Sequence, residues 1–467
     1  MKFVVAGGGV GGLAAALAAA RAGHQAVVLE RDDVGPDENP QSAFRIARRG
    51  IPHYLQPHAF LPRGRRILRD LAPDVLEALL EAGAEPQDVA SRLSGQPEKG
   101  DEDLVYLWVR RPVIEWALRR AAAAEPGIEL RPGRTVAALL TNEEGTDATG
   151  VGLDGGEAVH GDIVVDALGR YRPPPGWQRP EGNDADCGAV YYCRYFRLAD
   201  GVEHLGGGPR NPLNPRGDLG YMGFNTFRGD NRTFAVILLA PKHDRDLRVL
   251  KNEHSWMEAC SLMRPLDVMT SADYGQPITG VMPMGGLMNV DRTRRGVTGR
   301  VVAVGDAFCH TDPAFAYGLS FALAHGEALG RVVRSTSDPA EVSDRYFEEV
   351  TPEARERYAL ACEMDDARTR AWQGEAVDPT RRDGCYPLFS FATALVAAPH
   401  DDQVLRRTIR RIGLLDRTRS FDEDAGLHRR IEEIVARLAE EHPPTPAGPP
   451  RPELLARLTL AVPARGA

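Results

Sequence analysis

The residues best placed to do chemistry begin at the seventh position. Gly7-Gly8-Gly9-Val10-Gly11-Gly12 reads as G-x-G-x-x-G, with the key glycines at Gly7, Gly9 and Gly12. Glycine at the first position permits a tight turn, at the second a close backbone approach to a pyrophosphate, and at the third close packing of helix on strand. Eighteen residues after Gly12 stands Glu30, a carboxylate able to accept hydrogen bonds from ribose hydroxyls, followed by Arg31. An acid there repels a 2′-phosphate, which favours FAD or NAD over NADP. Two further groups carry potential chemistry. Gly305-Asp306 ends an apolar run and offers a carboxylate, and Arg111 precedes Pro112 at the start of a helical stretch. Its guanidinium suits phosphate or flavin-edge recognition. Three histidines, His53, His58 and His310, are candidates for acid–base work, although a lone loop histidine is more often structural. Cys309-His310-x-Asp312 has metal-like composition, but adjacent positions cannot build a tetrahedral site, so no metal is expected.

These residues need particular elements to position them. Phe3–Ala6 predicts a strand, the Ala/Leu-rich stretch to about Ala22 a helix stopped by Gly23, and Ala26–Leu29 a second strand ending at Glu30. That is a complete βαβ unit in the order a dinucleotide site requires. Val301–Val304 predicts another buried strand, with a helix from about Gly318 whose N-terminus would face the same crevice. Between them the spacing predicts helices over 62–71 and 74–82, a strand at 104–109, a helix from Pro112 to about Glu125, strands near 128–130 and 134–140, a hairpin around Asp154-Gly155-Gly156 and a strand at 162–167. Pro173-Pro174-Pro175-Gly176 marks a boundary. Alternating aromatic runs from about 186 to 285 predict an antiparallel sheet with one helix near 253–263. From 336 onward the pattern is charged amphipathic helix, with a Pro-rich loop at 443–452.

Composition bounds the function. The 467 residues are too many for one ordinary core. The net charge of -9 shows no basic patch, which argues against nucleic-acid binding, and the arginines from Arg63 to Arg69 read as a solvated helix face. No segment approaches the roughly 20 apolar residues of a membrane span. The first apolar run is broken by the glycine loop and is read as part of the βαβ unit, not as a signal peptide. Six scattered cysteines (Cys187, Cys193, Cys260, Cys309, Cys362 and Cys385) form no C-x-x-C, which fits a reducing cytoplasm.

The motifs in this order resemble the FAD-dependent monooxygenases of the para-hydroxybenzoate-hydroxylase fold. The resemblance runs through Gly7-x-Gly9-x-x-Gly12…Glu30-Arg31, Arg111-Pro112, Asp162-Ile-Val-Val-Asp166-Ala-Leu-Gly169-Arg170, and Gly305-Asp306 with Pro313 and Gly318. Two stretches, Arg49-Gly50-Ile51-Pro52-His53…His58 through Gly64 and Cys309–Ser320, resemble a bacterial subfamily of FAD-dependent oxidoreductases that includes epoxidases and hydroxylases of secondary metabolism. The resemblance covers about residues 1–330 and implies an α/β fold. A Rossmann-like FAD-binding domain in two segments (1–170 and 286–335) would carry an inserted antiparallel-sheet substrate domain (171–285), with a C-terminal helical region (336–467) appended. By position, Gly7, Gly9, Val10, Gly11 and Gly12 would hold the pyrophosphate. Glu30 and Arg31 would lie at the adenosine ribose and backbone at Val136 at the adenine. Arg111 would contact the flavin side, Gly305 and Asp306 the ribityl chain or pyrophosphate, and Pro313, Gly318 and Leu319 the isoalloxazine ring.

The activity so implied is insertion of one oxygen atom from O₂, by hydroxylation or epoxidation through a flavin C4a-(hydro)peroxide, into a small aromatic or polyketide-like substrate. The electron donor would be NAD(P)H or a partner flavin reductase. The inserted sheet would supply the substrate pocket, with Tyr221, Phe224 and Met282 as candidate wall residues. Two positions depart from the family pattern: Leu168 stands where an Asp-Gly pair is usual, which puts direct nicotinamide reduction in doubt, and Ala316 stands where Gly-x-Gly is usual. The alternatives are an FAD-dependent reductase of C=C bonds and a non-redox flavoprotein cyclase. A halogenase is less favoured because no Trp-x-Trp-x-Ile-Pro run occurs.

Overall fold

The computed structural model describes the chain apart from residues 37–38, 171–172, 203–213, 294–295, 297, 376–392, 442–445 and 462–467. Cys385 and the first part of the Pro-rich loop at 443–452 therefore lie outside the described residues. The chain forms two compact units: Met1–Gly83, Val109–Ala185 and Met288–Ala361 make the first, and Ala84–Trp108, Asp186–Leu287 and Cys362–Ala467 the second.

The first unit is built on β1 (Lys2–Ala6), α1 (Val10–Ala20), β2 (Gln25–Leu29), α2 (Pro62–Leu71), α3 (Pro73–Glu81), α4 (Arg111–Ala124), β3 (Ile128–Arg131), β4 (Val136–Thr141), β5 (Ala148–Leu153), β6 (Ala158–His160), β7 (Ile163–Asp166), β8 (Val301–Ala303) and α5 (Tyr317–Ser335). Five strands form a parallel sheet in the order β8-β7-β1-β2-β3. Val4 lies beside Val27 on one side and Val164 on the other. β1 is apolar throughout its last four residues, all fully buried, because helices cover both faces of such a sheet. β4, β5 and β6 make a separate antiparallel sheet.

The joint between β1 and α1 depends on two glycines. Gly7 has φ +113, and a Cβ there would collide with the Ala167 carbonyl oxygen. A Cβ on Gly12 would collide with the carbonyl oxygen of Gly7, so only hydrogen fits where the helix crosses the strand end. Helix starts are marked in the sequence by Pro62, Pro73 and Pro112, each within the first two helical positions.

One surface expectation is corrected. The arginines of α2 are not simply a solvated face: Arg63 is only 15% exposed and donates to Glu353 at 2.6 Å. A long amphipathic helix follows α5 and supplies that acid, a tertiary partner no local pattern announces.

In the second unit the strands Arg216–Asp218, Gly223–Arg228, Thr233–Pro241, Ala189–Leu198 and Gly275–Pro277 form an antiparallel sheet in that order, and Met282–Met284 also pairs with Ala189–Leu198. One face packs Tyr192, Phe196, Phe234 and Val236 against Trp256 and Met263. The Phe196 and Phe234 rings stack at 5.3 Å, and the Trp256 indole N–H donates to the Tyr192 carbonyl at 3.0 Å. Leu454 and Leu458 of the helix Arg451–Ala461 join this core, so the last described helix is part of the sheet's packing. The strands Glu85–Asp88 and Val105–Trp108 pair antiparallel within this unit. The loop between them is fixed by Arg406, whose guanidinium donates to the buried Asp101 at 3.0 Å.

A Gly12→Ala substitution would force α1 away from β1. Overpacking of this kind costs about 1–3 kcal/mol, and the expected urea midpoint falls accordingly; an unchanged midpoint would contradict the close crossing.

Candidate functional site

A cavity of about 600 Å³ opens at the carboxyl ends of the parallel strands of the first unit. Ligands bind at this edge in open α/β sheets, because the strand ends deliver loops there and helix N-termini point into it. Its walls come from the turns after β1, β2, β7 and β8, from the loop at 48–58, from the start of β4 and from the start of α5.

The sequence-predicted residues converge on it. Gly7, Gly9, Val10, Gly11, Glu30, Arg31, Arg111, Val136, Gly305, Asp306, Pro313, Gly318 and Leu319 all line the cavity. Gly12 does not; it faces Gly7 and serves the packing described above. Gly9 is different again. A Cβ there would meet only Ile51 Cδ1 at 3.9 Å, so its glycine keeps the cavity clear instead of relieving a clash. Gly9 is the N-cap of α1 and has no side-chain cap, which leaves the first N–H groups of the helix for a ligand.

Glu30 is held by three donors: the Gly8 N–H at 2.9 Å, the Asp32 N–H at 2.9 Å and Arg48 at 3.0 Å. A carboxylate has about four lone-pair sites, so capacity remains for a ribose hydroxyl. Arg48, whose side chain is 2% exposed, also lies 3.6 Å from both Asp32 and Glu115. Its Nε and Nη1 are buried with no hydrogen bond among the described residues. The sequence reading missed Arg48, because a loop arginine carries no local sign of burial.

Glu115, fully buried on α4, accepts from Arg111 Nε at 2.9 Å. Burial alone would raise its pKa; the guanidiniums of Arg111, Arg48 and Arg119 outweigh burial and hold it below the usual carboxylate range. The i,i+4 spacing of Arg111 and Glu115 was legible in the sequence. Arg111 Nη1 in turn donates to His53 at 2.8 Å and lies 3.4 Å from His58.

Asp306 lies 3.3 Å from His310 Nδ1. Burial pushes its pKa up, but His310, then His53 and Arg111, bring it well below the ordinary value. His310 Nε2 is buried with no hydrogen-bond partner among the described residues. His325, a second residue the sequence reading missed, accepts the Gly305 N–H through Nδ1 at 2.9 Å and fixes the Gly305-Asp306 turn. Its position on an apolar helix face gives no signal of that bond. Ala316, at the N-cap of α5, sits at φ +57, a left-handed conformation that costs a residue with a Cβ about 1–2 kcal/mol. Two of the wall residues expected from the inserted sheet, Phe224 and Tyr221, are corrected. Phe224 is 2% exposed in the core of the second unit and Tyr221 packs against it, with its hydroxyl donating to the Pro449 carbonyl. Their aromatic alternation marked a packed sheet face, the commoner use of that pattern.

Comparison with known proteins matches residues 2–38 to a family model described as an FAD binding domain. No curated protein matches the chain. Among solved structures, the flavin-dependent brominase Bmp2 is 14% identical, with 95% of this chain and 100% of that one covered and a TM-score of 0.61. A variant of 2-methyl-3-hydroxypyridine-5-carboxylic acid oxygenase is 17% identical over 83% and 97%, with a TM-score of 0.53. The Diels-Alderase PyrE3 of pyrroindomycin biosynthesis is 18% identical over 88% and 80%, with a TM-score of 0.54. What these likenesses establish is the fold: the α/β unit with a parallel sheet, the antiparallel sheet and the C-terminal helices expected from the sequence. Among the described residues no helix is long and apolar enough to cross a membrane.

The buried histidines set a pH dependence. Burial, then the charge of Arg111, pulls His58 down to about 3; burial, then Arg63, pulls His325 to about 4. Unfolded, both titrate near 6.5. Between those values the unfolded chain binds more protons than the folded one, so stability falls as pH drops from about 6.5 toward 4. His325→Asn keeps an acceptor near Nδ1 but does not titrate. Its unfolding free energy should depend on pH less steeply than the parent's, by about 1.2 kcal/mol between pH 6 and 5. Urea titrations at the two pH values check this, and equal slopes would contradict it.

Proposed function

We propose that this protein is an FAD-dependent monooxygenase that inserts one oxygen atom from O₂ into a small aromatic or polyketide-like substrate. The observation that carries the reading is the single cavity onto which Gly9, Glu30, Arg111, Asp306 and the start of α5 converge. The fold it shares with a brominase and an oxygenase that act through flavin or on a small heteroaromatic acid supports it at the level of architecture.

The residues present fit FAD. The open N-terminus of α1 and the bare Gly9 make a cradle for a diphosphate. Glu30, with its remaining acceptor capacity, suits the adenosine ribose, beside the unused donors of Arg48. Backbone at Val136 would border the adenine. Asp306 suits the ribityl hydroxyls, and Arg111, Pro313, Gly318 and Leu319 would border the flavin ring. Bound FAD would store electrons and react with O₂; the protein's part is to bind, orient and exclude water. Electrons would come from NAD(P)H or from a partner flavin reductase. Leu168 lies in the cavity wall without the carboxylate that the family pattern would put there, which favours the partner reductase. The same position favours one second reading, a non-redox FAD-holding cyclase, a role for which PyrE3, named a Diels-Alderase, offers a precedent in fold.

The test is spectroscopic. The purified protein should take up FAD one to one, and chemically reduced protein should reoxidise in air with consumption of O₂. Anaerobic NADH or NADPH should leave the flavin oxidised if a reductase is needed and bleach it if the enzyme is self-sufficient. Failure to take up FAD would overturn the reading. Bound flavin that is inert to O₂ after reduction would overturn the monooxygenase assignment in favour of the cyclase.

A further inference from the structure

Two histidines flank Arg111, and hydrogen-bond bookkeeping gives them different roles. A guanidinium can only donate. Arg111 Nη1 therefore requires an unprotonated acceptor at His53 Nε2, 2.8 Å away, and at His58 Nε2, 3.4 Å away. His58 is closed on its other side, because Nδ1 donates to the Gln56 carbonyl at 2.7 Å. Both of its nitrogens are used, which makes it a structural support for Arg111. His53 is open. With Nε2 accepting, the single proton of the neutral ring must sit on Nδ1, and that nitrogen has no partner among the described residues. The residue lines the cavity beside Arg111 and Asp306.

Three groups hold this arrangement in place. Glu115, fully buried one helical turn along α4, fixes the Arg111 rotamer through Nε. Arg111 then selects the His53 tautomer. Burial and the Arg111 charge, with smaller contributions from His58 and His310 opposed by Asp306, keep the His53 ring neutral well below its usual pKa. A neutral imidazole N–H so held is a poor general acid, and with Nε2 occupied the ring is a poor base. What it can do is donate one hydrogen bond of fixed direction.

We propose that His53 is a ligand-contacting residue of the cavity whose Nδ1–H donates a hydrogen bond to an acceptor atom of the flavin ring. The inference rests on the FAD reading and deepens it. Such a donor stabilises negative charge on the ring, and so favours the reduced form over the oxidised one.

The two amide substitutions separate the two ends of the imidazole. His53→Asn retains an N–H donor near Nδ1 and loses the acceptor for Arg111. His53→Gln retains an acceptor near Nε2 and loses the Nδ1 donor. FAD affinity by fluorescence titration, the flavin absorption spectrum and the midpoint potential are measured for the parent and both variants. His53→Gln should weaken FAD binding by about tenfold, the worth of one hydrogen bond, shift the flavin band and lower the potential, whereas His53→Asn should stay within about threefold of the parent with a near-parental spectrum. The reverse order would show that His53 only holds Arg111, and parental behaviour of both variants would show that it does not touch the flavin; either overturns the proposal. A parent protein that takes up no FAD would overturn the underlying reading instead, before any variant is compared.

Discussion

The structure depends on one steric constraint: α1 must press against the end of β1 while its first turn stays open to a ligand. Gly7 and Gly12 satisfy the first half, each occupying a place where a methyl group would strike a backbone oxygen. Gly9 satisfies the second, since it faces the cavity with only Ile51 Cδ1 near its missing Cβ. The three glycines of one motif thus answer to different demands, two to close packing and one to keeping the cavity clear. A buried parallel sheet makes this possible, because its fully apolar strands fix the positions of the turns at their ends with little freedom.

Around that turn lies a chain of charges that would be costly if broken. Glu30, Arg48, Glu115 and Arg111 alternate in sign, with Glu115 buried behind the cavity wall that the other three line, and each is largely withdrawn from water. Charges buried this deeply persist only when paired. The network therefore links the adenosine end of the proposed FAD site, at Glu30, to the flavin end, at Arg111. The histidines extend it: His58 braces Arg111, His53 receives it, and His310 meets Asp306 at 3.3 Å. His325 holds the Gly305-Asp306 turn from beneath. Most polar residues of the site thus already have protein partners. The groups with capacity to spare (the helix N-terminus, Glu30, Arg48 and His53) are the informative ones.

The fold was legible where periodicity and punctuation agree. The βαβ unit, the proline-initiated helices at 62, 73 and 112, and the antiparallel character of 186–285 follow from strand alternation, helix breakers and N1 prolines. The cavity lining was legible at the motif residues because each is required by backbone geometry or charge at a strand end. Partners brought together by tertiary packing were not. Arg63 reads as a surface arginine until Glu353 arrives from 290 residues away, and Arg48 carries no local sign of the acids Glu30, Asp32 and Glu115 that surround it. Phe224 and Tyr221 look alike as wall or core residues, since alternation records that a strand has a buried face and not what covers it. The helix Arg451–Ala461 shows an amphipathic pattern in the sequence, yet nothing there says that it completes the core of a sheet whose last strand, Met282–Met284, ends well over a hundred residues earlier.

The central claim, that the Gly9 turn and the α1 N-terminus form a flavin dinucleotide cradle, is tested most directly by a thermal-shift titration of the parent and a Gly9→Leu variant with FAD. Without FAD the two should melt within a few degrees of each other, because a Cβ at this position meets only Ile51 Cδ1, at 3.9 Å, within 4 Å among the described residues. FAD should raise the melting temperature of the parent and leave that of Gly9→Leu unchanged. Equal stabilisation of both proteins, or of neither, would contradict the account.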